Sequence, residues 1–387
     1  MKQIVPPGRI VGLDIARCVA LVGMFATHVL VTEGEDGITA VQQIAGGRAS
    51  GLFAVLAGVS LALMSGRSTP VAGAERTAVS WGLVVRALLI AFIGLLLGSL
   101  ETTIAVILTY YGLLFLLGLP FLGMRARSLA VLSGAWLVVV PVLSHLLRPL
   151  LPAPSFGTPD FDSLATPWQL LTEVTFTGYY PVVPWLAYLL AGMAVGRLDL
   201  SRWSTTVSLV VVGGSLAAIS WAGSRILLAR PDVMATLDET LTGPGRRGSL
   251  QDSLDHGLYG TTSTDSWWWL AVEAPHTGTP FDLAHTIGTA LFVIGISIAL
   301  GRVLPRLTAV VFGAGAMTLT LYSLHVVLRT QTFWPEDNVE TFTKHVALAL
   351  AIGAVYRLLR KSGPLERLVA LFANATANEV RAPSKVT

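Results

Sequence analysis

Residues 82–99 read GLVVRALLIAFIGLLLGS, an apolar run in which Arg86 is the only charged side chain. The hydrocarbon core of a bilayer is about 30 Å thick, and a helix needs about 20 consecutive apolar residues to cross it. The run is close to that length, so it predicts a membrane-spanning helix.

The rest of the chain has the same character. Of its 387 residues, 53% are hydrophobic and 13% are charged, and the mean hydropathy is +0.67. A soluble globular protein carries roughly 25% charged residues, so the composition excludes a soluble enzyme, a disordered protein and a nucleic-acid binder. Ten apolar runs are candidates for transmembrane helices: 10–31, 49–64, 82–99, 102–118, 128–147, 181–195, 205–228, 282–300, 307–328 and 342–358. The predicted fold is an all-α, polytopic integral membrane protein of about ten transmembrane helices, a single domain over residues 1–387 in the cell membrane.

Charge is distributed unevenly between the two sides of this topology. With the N-terminus placed in the cytoplasm, 18 of the 26 Lys and Arg residues fall on the cytoplasmic side, but only 5 of the 23 Asp and Glu residues do. Lys and Arg in short loops mark the cytoplasmic side, so both termini are predicted to be cytoplasmic. Two long loops, 148–180 and 229–281, then lie outside, and a tail, 359–387, lies inside. Three consecutive tryptophans, 267–269, predict either an interfacial anchor or a stacking surface for a sugar.

The first helix contains Asp14, Arg17 and His28 at membrane depth, where charged groups are costly and are functional candidates. Asp14 and Arg17 are three residues apart and share a face. Arg17 and His28 are close to three turns apart, which places them on the same face about 16 Å apart along the axis. Two interpretations are open for these groups: a helix-locking ion pair with a buried histidine, or a polar path used in function.

All the histidines fall in the outer half of this topology or in its outer loops, which predicts a polar chamber that opens outward. They are His28, His145, His256, His276, His285, His325 and His345. Imidazole is the side chain best suited to proton transfer near neutral pH. The spacing of His276, Asp282 and His285 matches no standard metal motif, so no metal is predicted.

Arginine is the prominent charged group at the cytoplasmic mouth. Arg17 and Arg86 suit a phosphorylated ligand, because a guanidinium binds phosphate through two hydrogen bonds. Arg86 could instead extend to the lipid headgroups. Tyr110 and Tyr111 could offer hydroxyls to a ligand or bridge helices.

Several stretches carry a family resemblance in their order along the chain. They are RIVGLDIARCVALVGMFATH (9–28), GRASGLFAVLAGVSLAL (47–63), VVRALLIAFIGLLLG (84–98), TGYYPVVPWLAYLLAGMAVGRLDL (177–200), APHTGTPFDLAHTIGTALFVIG (274–295), MTLTLYSLH (317–325) and KSGPLERLV (361–369). The set resembles the heparan-α-glucosaminide N-acetyltransferase-like family of bacterial multi-helix transmembrane acyltransferases. The resemblance implies transfer of an acetyl group from cytoplasmic acetyl-CoA to an acceptor on the far side of the membrane.

The resemblance also implies roles for individual residues. Arg17 and Arg86 would contact the CoA phosphates, with Tyr110 and Tyr111 beside them, and Asp14 would orient Arg17. His28 would be the general base that takes a proton from an acceptor hydroxyl or amine, and Arg48 would stabilise the oxyanion or bind an anionic acceptor. The residues expected to contact the acceptor are Tyr179, Tyr180, Trp185, His285 and His325.

The sequence departs from the family pattern at two places, of which the first concerns helix packing and the second the choice of base. Cys18 stands where these proteins usually have Gly, and the loop 31–47 has no histidine, whereas the lysosomal branch has one there. His28 occupies the position of a functional Asn in that branch, although broader bacterial membrane O-acyltransferases carry a histidine in the first helix. His276 is therefore the competing candidate for the base.

The expected partners are membrane lipid, acetyl-CoA and a sugar or glycolipid acceptor, and a homodimer is compatible with the family. The active-site chamber is expected to open to the extracytoplasmic side. A proton-coupled secondary transporter of a small polar or anionic solute is the alternative, since its buried His and Arg would relay protons. The sequence shows no inverted repeat of the kind that many transporters have.

Overall fold

A computed structural model describes residues 5–34, 37–241 and 248–381, and within them the protein is almost entirely helical. The helices are α1 (Val11–Val29), α2 (Ala40–Ala45), α3 (Arg48–Met64), α4 (Gly73–Gly98), α5 (Leu108–Gly118), α6 (Ala126–Leu147), α7 (Pro167–Thr172), α8 (Val182–Gly196), α9 (Trp203–Leu228), α10 (Pro231–Glu239), α11 (Leu250–His256), α12 (Pro280–Val303), α13 (Pro305–Val311), α14 (Thr318–Leu328), α15 (Val339–Leu358) and α16 (Pro364–Arg381). Two short strands, β1 (Glu33–Gly34) and β2 (Gly37–Ile38), pair antiparallel. The predicted all-α fold is confirmed.

The helices match the predicted membrane spans in position but not all in length. Among the described residues, six helical segments are long and apolar enough to cross a membrane, and α7 with α8, bent by 49°, would make a seventh. α5 and α14 have 11 residues each, which is shorter than a bilayer crossing requires. The count of ten spans stays a prediction.

The predicted span 307–328 is interrupted. Its middle is a 3₁₀ turn, Gly313–Ala316, between α13 and α14. A Cβ on Gly315 would lie 1.7 Å from the carbonyl oxygen of Asp14, and one on Gly313 would lie 2.4 Å from that of Gly353. The glycines therefore let this turn approach the backbones of α1 and α15, and the close packing explains the break.

Helix α1 lies at the centre of the bundle. It packs against α3, α12, α15 and the 3₁₀ turn, and most of its residues are buried. Around it, α3 packs on α8, α12 on α9, and α4 on α5. The residues that α1 carries are thus surrounded by protein along most of its length.

The predicted tail contains a helix that the sequence analysis did not identify. α16 packs along α4, with Val369, Ala373 and Ala377 buried in the contact, and Arg381 forms an ion pair with Glu75. Four-residue spacing of small apolar side chains in a polar segment is typical of such a surface helix.

The orientation prediction rests partly on Lys2, Arg246, Arg247 and Lys385, which lie outside the described residues, as do both chain ends. The ends that are described lie at one end of the bundle. Arg67, just after α3, donates a hydrogen bond to the carbonyl of Gly8, and Glu75 in the next helix pairs with Arg381. Which side of a membrane this end faces stays a prediction.

The described residues of the segment 229–281, which is predicted to be an outer loop, form a small core of their own. Trp269 is fully buried there among apolar side chains, and its indole nitrogen donates a hydrogen bond to Thr240 at 3.0 Å. Trp267 is 57% exposed, and Trp268 faces the guanidinium of Arg230. The tryptophans therefore do not act as one anchor or one stacking surface: Trp269 holds the loop together, and only its neighbours reach the surface.

Candidate functional site

Two cavities lie near opposite ends of α1. We call the one near its C-terminus the outer cavity and the one near its N-terminus the inner cavity, after the predicted orientation. The outer cavity has a volume of about 490 Å³ and the inner cavity about 240 Å³. His28 lines the outer cavity and Arg17 lines the inner one, so the helical face predicted to carry both residues opens into both cavities.

The inner cavity brings together the two arginines that were predicted to bind phosphate. Arg17 comes from α1 and Arg86 from α4, and Tyr111 and Glu366 line the same space. The Arg17 Nη2 donates to the Ser60 hydroxyl at 2.9 Å, and its Nη1 lies 3.3 Å from Asp14 Oδ1. Arg86 makes no hydrogen bond to another described residue, and the nearby carboxylate of Glu366 is its counter-charge in this cavity.

Asp14 lies between two cations. Its carboxylate is buried, contacts Arg17 on one side and accepts from Arg9 Nε at 2.7 Å on the other. Asp14 therefore contacts Arg17, on the shared face that their spacing predicted. It lies at the inner end of α1 and away from the residues that line the outer cavity.

The outer cavity contains the two histidines that compete as the general base. His28 projects from α1, and His276 comes from the segment before α12, with Tyr179 and Tyr180 beside them. The His276 ring lies 4.4 Å from the Tyr179 ring, and its buried Nδ1 has no hydrogen-bond partner among the described residues. Burial, with smaller contributions from Arg48 and His28, lowers the pKa of His276 to about 3. The ring is therefore neutral near pH 7, the state in which an imidazole nitrogen can accept a proton.

His28 belongs to a chain of three histidines that the sequence did not reveal. Its Nδ1 lies 3.1 Å from His325 Nε2, and His325 Nδ1 lies 3.1 Å from His345 Nδ1. His325 and His345 are 1% and 2% exposed. The Phe25 ring stacks on His325 at 4.3 Å. The residues come from α1, α14 and α15. Helical spacing relates residues of one helix, so it does not connect these three.

Two tyrosines stand between the cavities. Tyr111, which lines the inner cavity, donates its hydroxyl to the carbonyl of Ser50 at 3.1 Å, and Ser50 lines the outer cavity. Tyr322, also on the inner cavity, accepts from the Ile107 N–H at 3.3 Å. Tyr111 thereby connects the lining of the inner cavity to that of the outer one.

Arg48 and His285 lie outside the residues that line either cavity. Arg48 contacts the Glu273 carboxylate, and its Nη1 lies 3.0 Å from Asp282 Oδ1 and 3.3 Å from the hydroxyl of Thr286. His285 Nδ1 lies 2.7 Å from the same Glu273. Because both terminal nitrogens of Arg48 are engaged, the geometry favours a structural clamp between α3 and α12 over the predicted contact with an oxyanion.

Three further candidates occupy positions other than those predicted. Tyr110 was expected near the donor, but it lines neither cavity and packs edge-to-face against Tyr180 at 5.5 Å. Trp185 is 5% exposed and packs behind Tyr180 at 5.2 Å. His325 was expected to contact the acceptor, but it lines neither cavity and reaches the outer one only through His28.

Over the parts of the chain that the structure describes, no group of three or more His, Cys, Asp or Glu side chains is placed to hold a metal ion. The three linked histidines do not form one, because His325 directs its two nitrogens to different neighbours and one imidazole cannot turn both toward a single metal.

Comparison with known proteins places the chain in a family. A family model for the catalytic region of heparan-alpha-glucosaminide N-acetyltransferase matches residues 9–228, which is more than half of the 387-residue chain. A search of curated proteins found no match. The chain belongs to this acetyltransferase family, and the matched segment includes Arg17, His28 and Arg86 but ends before His276, His325 and His345.

Proposed function

We propose that this member of the family is a transmembrane acetyltransferase that takes an acetyl group from acetyl-CoA in the inner cavity. The group is delivered in the outer cavity to a hydroxyl or amine of a sugar or glycolipid. The observation that carries the proposal is the pair of cavities along α1, with arginines in one and His28 in the other. A cationic pocket suits the phosphates of CoA, and a histidine suits proton removal from the acceptor.

In the proposed reaction, Arg86 and Arg17 hold the donor, with Asp14 fixing Arg17. The acceptor lies in the outer cavity against Tyr179 and His28. Its oxygen or nitrogen attacks the thioester carbonyl while His28 takes the proton, the C–S bond breaks, and the thiolate of CoA receives a proton. The reacting atoms meet near the two tyrosines that separate the cavities.

Donor binding is tested by the effect of CoA and acetyl-CoA on thermal unfolding of the purified protein in detergent. We expect both ligands to stabilise the wild type. Arg86→Ala should weaken binding by about 10- to 100-fold, since hydrogen bonds to charged groups contribute about 1.5–3 kcal/mol. Arg127→Ala, at an exposed position that lines neither cavity, is the control and should bind normally. Absence of any shift with the wild type would favour a transporter.

The orientation is tested by labelling single cysteines in intact cells with a membrane-impermeant maleimide. Cys18 is buried and should stay unlabelled. Trp267→Cys lies in the exposed outer loop, so we expect it to be labelled from outside. Arg127→Cys should be labelled only after the cells are opened. The reverse pattern would place the His28 cavity on the cytoplasmic side and contradict the proposed direction of transfer.

A further inference from the structure

The chain of His28, His325 and His345 has a property that a single buried histidine lacks. A neutral imidazole has one N–H donor and one acceptor nitrogen. In this chain, His325 uses one nitrogen toward each neighbour, and both contacts measure 3.1 Å. If His325 donates toward His345, it must accept from His28, so the position of one proton sets the positions of the other two.

The linked protons decide whether His28 can act as a base. When His28 donates its Nδ1–H to His325, the His28 Nε2 keeps a lone pair for the outer cavity. When the direction of both hydrogen bonds is reversed, His28 Nε2 carries a proton and cannot accept another. Switching between the two orders requires all three rings to exchange protons together.

We infer that His325 and His345 form a proton relay that serves His28 in the proposed acetyl transfer, on which this inference rests. As the acceptor's proton reaches His28 Nε2, the His28 Nδ1–H passes to His325 Nε2 and the His325 Nδ1–H passes to His345 Nδ1. The bonds balance: each ring gains one N–H and gives one up, except His345, which gains a proton and the positive charge. When the C–S bond breaks, the reverse steps return that proton through His28 to the thiolate.

His345 is buried and lies near Arg329, so a positive charge on its ring is costly and lasts only until the reverse steps return the proton. The Trp334 ring lies 5.3 Å away at 87° to the His345 ring, an edge-to-face contact between the two rings. The nearby guanidinium of Arg329 would oppose a second positive charge, but it is paired with Asp337 at 2.5 Å. The Nε2 of His345 is buried without a hydrogen-bond partner among the described residues, so the proton on it has no alternative acceptor there.

Amide substitutions of His325 and His345 distinguish a proton relay from a role that is only structural. Gln at position 325 and Asn at position 345 can still form hydrogen bonds, but an amide does not pass a proton on by exchanging one N–H for another. We expect His325→Gln and His345→Asn to slow single-turnover acetyl transfer at least about tenfold, part of the 10²- to 10⁴-fold that general base catalysis supplies. Stabilisation by CoA should be unchanged. The probes are labelled acetyl-CoA with glucosamine and octyl glucoside as amine and hydroxyl acceptors.

A proton inventory in H₂O–D₂O mixtures adds a measurement that a merely structural role would not alter. The wild type should show a curved dependence of rate on deuterium content, because several protons move together, and His325→Gln, in which only the acceptor's proton moves, should show a linear one. His145→Gln is the matched control: this histidine lies on α6 against Trp267, lines neither cavity and should keep the wild-type rate and curvature.

Several outcomes would overturn the relay. A linear inventory in the wild type would do so, and so would wild-type rates in both amide variants. These results differ from failure of the proposed function, in which the wild type neither binds CoA nor transfers the label. Histidine-selective ¹⁵N spectra provide a readout without an acceptor: His325→Gln should shift the ring nitrogens of both His28 and His345. Unchanged ¹⁵N chemical shifts at either His28 or His345 would contradict a linked chain of three histidines.

Discussion

His28→Ala is expected to reduce acetyl transfer by about 10²- to 10⁴-fold, the range that a general base contributes, while stabilisation by acetyl-CoA persists. Transfer and donor binding are expected to respond differently because His28 lines the outer cavity and the arginines line the inner one. Transfer of labelled acetyl from acetyl-CoA to glucosamine and octyl glucoside gives the rate, and thermal unfolding with and without acetyl-CoA gives the binding. His145→Ala is the control for removal of an imidazole elsewhere in the outer half.

His276→Ala decides between the two candidate bases. The His276 ring lies against Tyr179 in the outer cavity, where it can position the acceptor. We therefore expect this variant to raise the KM for the acceptor more than it lowers kcat. Full turnover in His28→Ala together with loss of turnover in His276→Ala would assign the base to His276 instead.

The residues of α1 could be predicted because one helix carries them. Helical spacing alone places Asp14 beside Arg17, and Arg17 and His28 on one face. The structure has the Asp14–Arg17 contact and a cavity at each end of that face. Arg86 could also be predicted as a candidate site residue, because it is the one charged side chain in a long apolar run.

The partners of these residues could not be predicted in the same way. His325 and His345 lie hundreds of residues from His28 in sequence, and only helix packing brings the three rings together. The positions of Tyr110 and Trp185 depend likewise on how α5 and α8 pack around Tyr180. A periodic pattern shows which face a residue occupies, but not which other helix meets that face.

The ion-pair partners of Arg48 could not be predicted from the sequence either, and they change the role expected of this residue. From sequence it is a cation at the outer start of a helix, which suits an oxyanion. In the structure its two partners, Glu273 and Asp282, lie 225 and 234 residues away in sequence, and their side chains are 7% and 4% exposed. A guanidinium that already holds two buried carboxylates has no free donor face for a substrate, and its removal leaves both acids without a counter-charge.

Arg48→Met is therefore expected to destabilise the protein by about 3–5 kcal/mol, the cost of removing one partner from a buried ion pair, measured as a loss of thermal stability in detergent. Combining it with Asp282→Asn and Glu273→Gln should restore part of the stability, because no uncompensated charge then remains. Arg48→Lys should be more stable than Arg48→Met but less stable than the wild type, since an ammonium cannot bind two carboxylates in the bidentate way that a guanidinium does. An Arg48→Met protein with wild-type stability and normal acetyl-CoA binding but no acetyl transfer would return Arg48 to the reaction itself.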